Sequence, residues 1–436
     1  MLKNIKLSYF LMGGTQILCR QYIKGFLFLF AQIAFVIFML FFGINSLMDF
    51  VTLGTKTQSY EYDETLGFDR IVEGDNSMLC LIFGVMTLII IVLFIVLYRA
   101  NIKSAMVAEY EYKVNRKIVP FRAELESLLD RNFHKTMLFI PVVGILLFTV
   151  LPLIFMILVA FTNYDKAHQP PGNLFDWVGL QNFKNMLGEN ELLSGTFFPV
   201  LIWTLIWAIV STVSCYIFGI LTALLINQKG VRLKKMWRTI LILTIAIPQF
   251  ISLLIMRNML NRFGPINEAL LSLNLISEPL PFLTDPTFAK ITVLVVNLWV
   301  GIPYTMLLTT GILMNIRKDL FEAASLDGAN AVQRFFKITL PHIWHVTAPF
   351  VITQFIGNIN NFNVIYLLSE GGPMTTDYYV AGKTDLLVTW LYKLTADEKD
   401  YNLASTIGIL VFIISIIISL VTYRNTSSYK DEEQFG

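Results

Sequence analysis

Long apolar blocks alternate with polar connections along this chain. Eight blocks stand out, at about 26–48, 79–98, 137–161, 199–226, 238–257, 288–314, 346–369 and 403–423. Each suffices for a helix across the hydrocarbon of a bilayer, which takes about 20 residues. The pattern predicts an all-α polytopic membrane protein with about eight transmembrane helices. The first block follows Lys3, Lys6, Arg20 and Lys24 as a signal sequence would. It runs on for about 20 residues with no small-residue cleavage site, so it reads as an uncleaved anchor.

Charge divides the connections into two kinds. After the first block come Asp49, Glu61, Asp63, Glu64, Asp69, Glu73 and Asp75, against only Lys56 and Arg70. After the second come Arg99, Lys103, Lys113, Arg116, Lys117, Arg122, Arg131 and Lys135. The link after the fourth holds Lys229, Arg232, Lys234, Lys235 and Arg238. Basic links face the cytoplasm, which predicts both termini there too. The connection from about 99 to 135 reads as a cytoplasmic surface helix joining a two-span unit, 1–130, to a six-span core, 131–436.

Composition narrows the chemistry. Of 436 residues, 55% are hydrophobic and 15% charged, where a soluble domain carries about a quarter charged. A net charge of +2 gives no general attraction to nucleic acid. Cys19, Cys80 and Cys215 lack metal-type spacing. His134, His342 and His345 fall in inside links and His168 outside, with no nucleophile or acid–base partner in view. No cofactor is expected. "GKT" at Gly382–Thr384 resembles part of a phosphate loop, but Asp377 stands where the upstream glycine is needed. Within the eight blocks there is no Asp or Glu away from the edges. That argues against a proton-driven carrier and leaves open a sodium-coupled one using amides and carbonyls. A membrane enzyme acting on glycolipid would need an acid–base pair that is missing.

What the blocks hold is amides. "QFIGNINNFNVIYLL" places Gln354, Asn358 and Asn361 at i, i+4, i+7, one stripe of a helix, with Gly357 making room and Asn363 nearby. "NLWVGIPYTM" offers Asn297, Trp299, Gly301 and Tyr304, with Pro303 able to bend the helix. Amides both donate and accept, which suits ring hydroxyls, and aromatic faces suit the C–H faces of a sugar. The same amides equally serve as bonds between helices.

One polar segment, "EAASLDGANAVQRFFKITLP", reads as two short helices. Asp319, three residues before Glu322, predicts an N-cap. Gly328 predicts a left-handed stop. Val332, Phe335, Phe336 and Thr339 predict a second amphipathic helix, ended by Pro341. Pattern alone allows either an elbow lying on the membrane or a plug for a partner's groove.

Glu322, Ala323, Ala324, Gly328, Ile338, Leu340 and Pro341 match in spacing the cytoplasmic loop of bacterial ABC importer permeases, which the chain resembles. "LFTVLPLIFMILVAFTNYD", "FDWVGLQNF", "NNFNVIYLLSEGGP" and "TDLLVTWLY" are similar to the larger subunit of the maltose/maltodextrin branch. The resemblance implies a type I ABC importer permease core with a coupling loop at 315–345. It implies that Glu322, Ala323, Ala324, Asp327, Gly328, Ala329, Ile338, Leu340 and Pro341 meet an ATPase subunit. It implies sugar contacts at Val300, Gly301, Tyr304, Gln354, Gly357, Asn358, Asn361 and Asn363. Gly357 stands where the branch has an aromatic, and Asn363 where it has an aliphatic residue.

The function so implied is a non-catalytic, multi-pass permease in a bacterial cell membrane, carrying maltodextrin- or maltose-type oligosaccharides. Galacto-oligosaccharides are the alternative. The implied partners are a second homologous permease, two ATPase subunits, the oligosaccharide, membrane lipid and an extracellular lipid-anchored sugar-binding protein. The short link between the third and fourth spans fits a single-membrane cell.

Overall fold

A computed structural model describes residues 5–63, 67–114, 121–228 and 230–424. Lys3, Glu64, Arg116, Lys117 and Lys229, expected in the connections, lie outside them. The chain divides into two compact units, Met1–Gly179 and Leu180–Gly436.

The first unit opens with α1 (Ile5–Phe10) and α2 (Gly14–Leu18), followed by the span α3 (Tyr22–Thr52). Strands β1 (Ser59–Asp63) and β2 (Phe68–Val72) pair antiparallel, Tyr60 opposite Ile71. Then comes α4 (Ser77–Val114), α5 (Phe121–Leu129) and the span α6 (Phe133–Val159). At 38 residues and 1.5 Å per residue, α4 outruns a hydrocarbon core of ~30 Å. Part of the expected linker is therefore the same helix carried past the membrane, and it closes with a Glu109–Lys113 pair at 2.6 Å. Buried Asn101 ties α1 and α2 to α4: its Oδ1 accepts from Gly13 N and from Gln16 Nε2, both at 3.0 Å.

The second unit contains the helices α7 (Glu191–Asn227), α8 (Lys234–Ala246), α9 (Gln249–Met259), α10 (Pro265–Ser272) and α11 (Pro286–Asn315). These are followed by α12 (Lys318–Leu326), α13 (Ala331–Arg334), α14 (Leu340–Ile359), α15 (Phe362–Ser369), α16 (Leu387–Lys393) and α17 (Tyr401–Arg424). Among the described residues, six helices are long and apolar enough to cross a membrane: α3, α4, α6, α7, α11 and α17.

The two other expected spans are interrupted. Block 238–257 is the pair α8 and α9, bent by 93°. Ile247 is extended because Pro248 follows it. Block 346–369 splits between α14 and α15 at Asn360 and Asn361. By contrast α11 passes through Pro303 without a break.

Small residues bring α7 and α11 together. A Cβ on Gly301 would stand 2.5 Å from Cys215 Sγ, and one on Gly219 2.4 Å from Thr305 Cβ. Such close backbone approach is how helices associate where lipid removes the hydrophobic drive. Trp203 and Trp207 pack in the core beside them and donate to the backbone oxygens of Thr384 and Asn358, both at 3.1 Å. The "GKT" turn is structural. Gly382 N donates to Asp385 at 2.7 Å, and Thr384 Oγ1 donates to the Gly372 carbonyl at 2.7 Å.

A neutral amide cavity and an exposed elbow

The two helix breaks meet. Asn363 Nδ2 on α15 donates to Gln249 Oε1, at the start of α9, at 3.1 Å. Between them and α11 lies a cavity of about 370 Å³. Its walls are Gln249, Asn297, Val300, Gly301, Tyr304, Gln354, Gly357, Asn358, Asn360, Asn361, Phe362 and Asn363. All eight residues expected to contact sugar are among them. Trp299 is not.

The expected stripe is not a single helix face. Gln354 and Asn358 belong to α14, but Asn361 is the N-cap of α15, its Oδ1 accepting from Val364 N at 3.2 Å. A cap needs a non-helical residue with a short polar side chain, so Asn361 ends one helix register and begins another. The three amides still line one cavity, two before the break and one at it.

Within the cavity the amides differ. Asn358 is 2% exposed. Its Nδ2 donates to Thr212 Oγ1 on α7 at 2.9 Å, and its Oδ1 accepts from Asn361 at 3.4 Å. Asn297 is also buried, with Cys215 and Asn361 against it. These two bind helix to helix while lining the cavity. Asn360 and Asn363 are exposed, Gln354 half-buried, and Tyr304 is 53% exposed. A Cβ on Gly357 would meet nothing within 4 Å, so the place of the branch's aromatic is open space. None of the lining residues is charged. The surface can exchange hydrogen bonds with a neutral polyhydroxyl compound and has no counter-charge for an ionic one.

Gln249, Asn360 and Phe362 were not expected here. The signal for Gln249 was Pro248 inside an apolar block, which marks a break. Asn360 and Phe362 follow once Asn361 is recognised as a cap.

The polar segment forms an elbow with different capping from that expected. Arg317, not Asp319, is the N-cap residue of α12, and Asp319 lies in the first turn. The Asp319 carboxylate accepts from Arg317 Nε at 3.2 Å and from Leu320 N at 3.1 Å. The capping box falls on the next helix instead: Gln333 N donates to Asn330 Oδ1 at 2.8 Å, and Asn330 N to Gln333 Oε1 at 2.9 Å. Gly328 has φ +76°. Around it Ala329 N donates to the Ala324 carbonyl at 2.9 Å and Gly328 N to that of Ser325 at 3.2 Å, a Schellman stop. Arg334 Nη1 reaches back to Ser325 Oγ at 2.6 Å and holds the two arms together.

Pro341 does not end the second arm. A π-turn over Phe335–Thr339, with Leu340 N bonded to the Phe335 carbonyl, precedes it, and α14 continues. The wider turn accommodates the ring and missing N–H that would break a regular helix. The same device, Leu146–Val150, precedes Pro152 in α6. Glu322, Ala323 and Ala324 lie on α12, Asp327 at its C-cap, Ala329 after the glycine, Ile338 in the π-turn, and Leu340 and Pro341 at the start of α14. Leu326 is 90% exposed, and Val332 and Phe336 are exposed too.

The sequence pattern of the family "binding-protein-dependent transport system inner membrane component" matches residues 215–426. The galactooligosaccharides transport system permease protein GanP of Bacillus subtilis is 36% identical over 428 residues, covering 96% of each chain. The maltodextrin transport system permease protein MalC of Streptococcus pneumoniae is 36% identical over 438 residues, 97% of this chain and 95% of that one. Among solved structures, a bacterial ABC transporter involved in the import of the acidic polysaccharide alginate superposes with TM-score 0.57 at 24% identity, over 69% of this chain and 96% of that one. By its near-full-length match to such permeases, the chain belongs to the binding-protein-dependent transport system inner membrane components, the membrane-spanning permeases of ABC importers.

Proposed function

We propose that the chain is the permease of an ATP-driven importer for maltodextrin- or maltose-type oligosaccharides. The observation that carries this reading is the cavity walled by neutral amides, a tyrosine and a phenylalanine, with no charged group. A neutral oligosaccharide offers many hydroxyls and no charge, and each neutral hydrogen bond to it contributes about 0.5–1.5 kcal/mol. A uronate-bearing chain would bring carboxylates into a space without a cation to meet them, at a desolvation cost. The likeness to a maltodextrin permease supports the choice of sugar. The equal identity of a galactooligosaccharide permease favours the alternative to the same degree.

In this reading the chain performs no chemistry itself. It pairs with a second homologous permease, two ATPase subunits and an external lipid-anchored binding protein, with both its termini in the cytoplasm. The elbow around Gly328 docks into the ATPase, burying Leu326, Val332 and Phe336. ATPase closure then moves α14, whose first turn is continuous with the elbow. Since α14 carries Gln354 and Asn358, the motion reaches the cavity wall through one rigid element.

The test is ATPase stimulation in the assembled, reconstituted complex, with binding proteins loaded with maltodextrin, galacto-oligosaccharide or oligouronate. Stimulation by maltodextrin is expected. Stimulation by galacto-oligosaccharide alone selects the alternative, and stimulation by the uronate alone refutes the neutral-sugar reading.

A further inference from the structure

The cavity has a small volume for a ligand pocket, and one of its walls continues beyond it. Phe362 lines the cavity. One turn further along α15, Tyr366 stacks on it, with ring centres 4.8 Å apart and planes 20° from parallel. Tyr392 of α16 meets both rings edge-on, at 5.0 Å from each. Tyr392 remains 39% exposed. Three rings thus run without a gap from the amide cavity along α15 towards the 370–400 link, which the charge pattern places outside.

We propose that Phe362, Tyr366 and Tyr392 form a second sugar subsite, which carries the outer rings of an oligosaccharide while the amides hold the inner ones. The inference rests on the neutral-sugar reading above and adds a determinant of chain length. A pyranose presents a patch of C–H groups on its face, which packs on an aromatic ring, while its equatorial hydroxyls stay in water or reach the tyrosine hydroxyls. The open space at Gly357 gives the cavity no ring of its own at that position. The stacking surface at this wall is Phe362, continued one helix turn further out by Tyr366. The bland role of three clustered rings is packing, but packing within the chain would bury Tyr392, whereas 39% of its surface stays uncovered by this chain.

The experiment measures ATP-driven uptake of maltose, maltotriose and longer linear maltodextrins by the complete complex in proteoliposomes. The same binding protein is used throughout, so that its own length preference cancels in the ratio of variant to wild type. Tyr392→Ala should lose roughly three- to tenfold in uptake of the longest chain, the size of one aromatic contact, and little with maltose. Tyr392→Phe keeps the ring and should keep the wild-type profile. Tyr366→Leu, which preserves bulk without an aromatic face, should reproduce the alanine profile. Equal loss at every chain length, no loss at any, or a phenylalanine variant as impaired as the alanine one would overturn the subsite. A wild-type complex that transports no neutral oligosaccharide would overturn the underlying reading instead, and is recognised before any variant is made.

Discussion

Asn358 Nδ2 donates to Thr212 Oγ1 at 2.9 Å, so the most buried amide of the cavity is also a bond between α14 and α7. Ligand contact and helix bonding are therefore shared unequally among the amides. Asn358→Ala removes the donor to the Thr212 hydroxyl and leaves the Asn361 amide only its longer bond to Asn297, at 3.5 Å, and should lower stability of the complex by about 1–3 kcal/mol. Asn363→Ala, at an exposed position, should change stability by no more than about 0.5 kcal/mol. It should weaken apparent sugar affinity roughly two- to tenfold. Thermal unfolding and sugar-dependent transport of both variants separate these roles. A stable Asn358→Ala complex beside an unstable Asn363→Ala complex would reverse the assignment.

The turn at Gly328 offers a cleaner separation. A Cβ there meets nothing within 4 Å, so only its φ of +76° resists substitution. Gly328→Val should strain the elbow by about 1–2 kcal/mol and leave the spans folded. The variant should assemble in the membrane but bind its ATPase weakly and show reduced sugar-stimulated hydrolysis. Normal coupling in this variant would remove the elbow from the mechanism.

Asp385 and Lys393 form a buried pair at 2.6 Å in the link after α15. Burial pushes the Asp385 carboxyl up, while the Lys393 ammonium and the Gly382 and Thr389 donors pull it back down. Lys393→Met leaves the carboxyl buried with only two neutral donors and should cost about 3–5 kcal/mol. Removing both charges, as in Asp385→Leu with Lys393→Met, should recover part of that loss. Protease resistance of the 370–400 link reports the difference; equal damage from the single and double variants would deny the pair its role.

In the first unit, Asp75 accepts from Thr55 N at 2.7 Å and Lys56 N at 2.9 Å. Those backbone donors hold its carboxyl below the usual value of 3.8. A lowered folded-state value means the stabilisation is complete above the unfolded value and is lost as pH falls through the folded one. The protection of the Thr55 and Lys56 amides, relative to their intrinsic exchange at each pH, should therefore hold down to about pH 3.8 and fall away below it. Asp75→Asn should abolish that acid transition. An unchanged transition in the variant would place its origin elsewhere.

The membrane class was legible because lipid accepts only helices that satisfy their own backbone, which forces long apolar blocks. The break at 247–248 left one signal, Pro248, while the one at 360–361 left none, because it lies inside a block that stays apolar or amide-rich throughout. Pro341 was misread as a stop because a π-turn is a matter of backbone register, which composition does not reveal. Asp319 is not the cap the pattern suggested because the helix already begins at Lys318, which puts Asp319 inside its first turn. The cavity residues were legible from the resemblance, and the amide pattern agreed with it although the single stripe did not exist. That Gln249 joins them depends on the 93° bend between α8 and α9, a tertiary feature. The edge-on contact of Tyr392 with Tyr366 is likewise invisible from 26 positions away.

In the proposed function, transport through this chain is driven by ATP hydrolysis on partner subunits and not by an ion gradient. The direct measurement is oligosaccharide uptake by proteoliposomes that hold the complete complex, with binding protein outside and ATP inside, in the absence of sodium and proton gradients. The account predicts uptake that requires ATP and stops when ATP is withheld. Uptake that persists without ATP and follows an imposed sodium or proton gradient would contradict it.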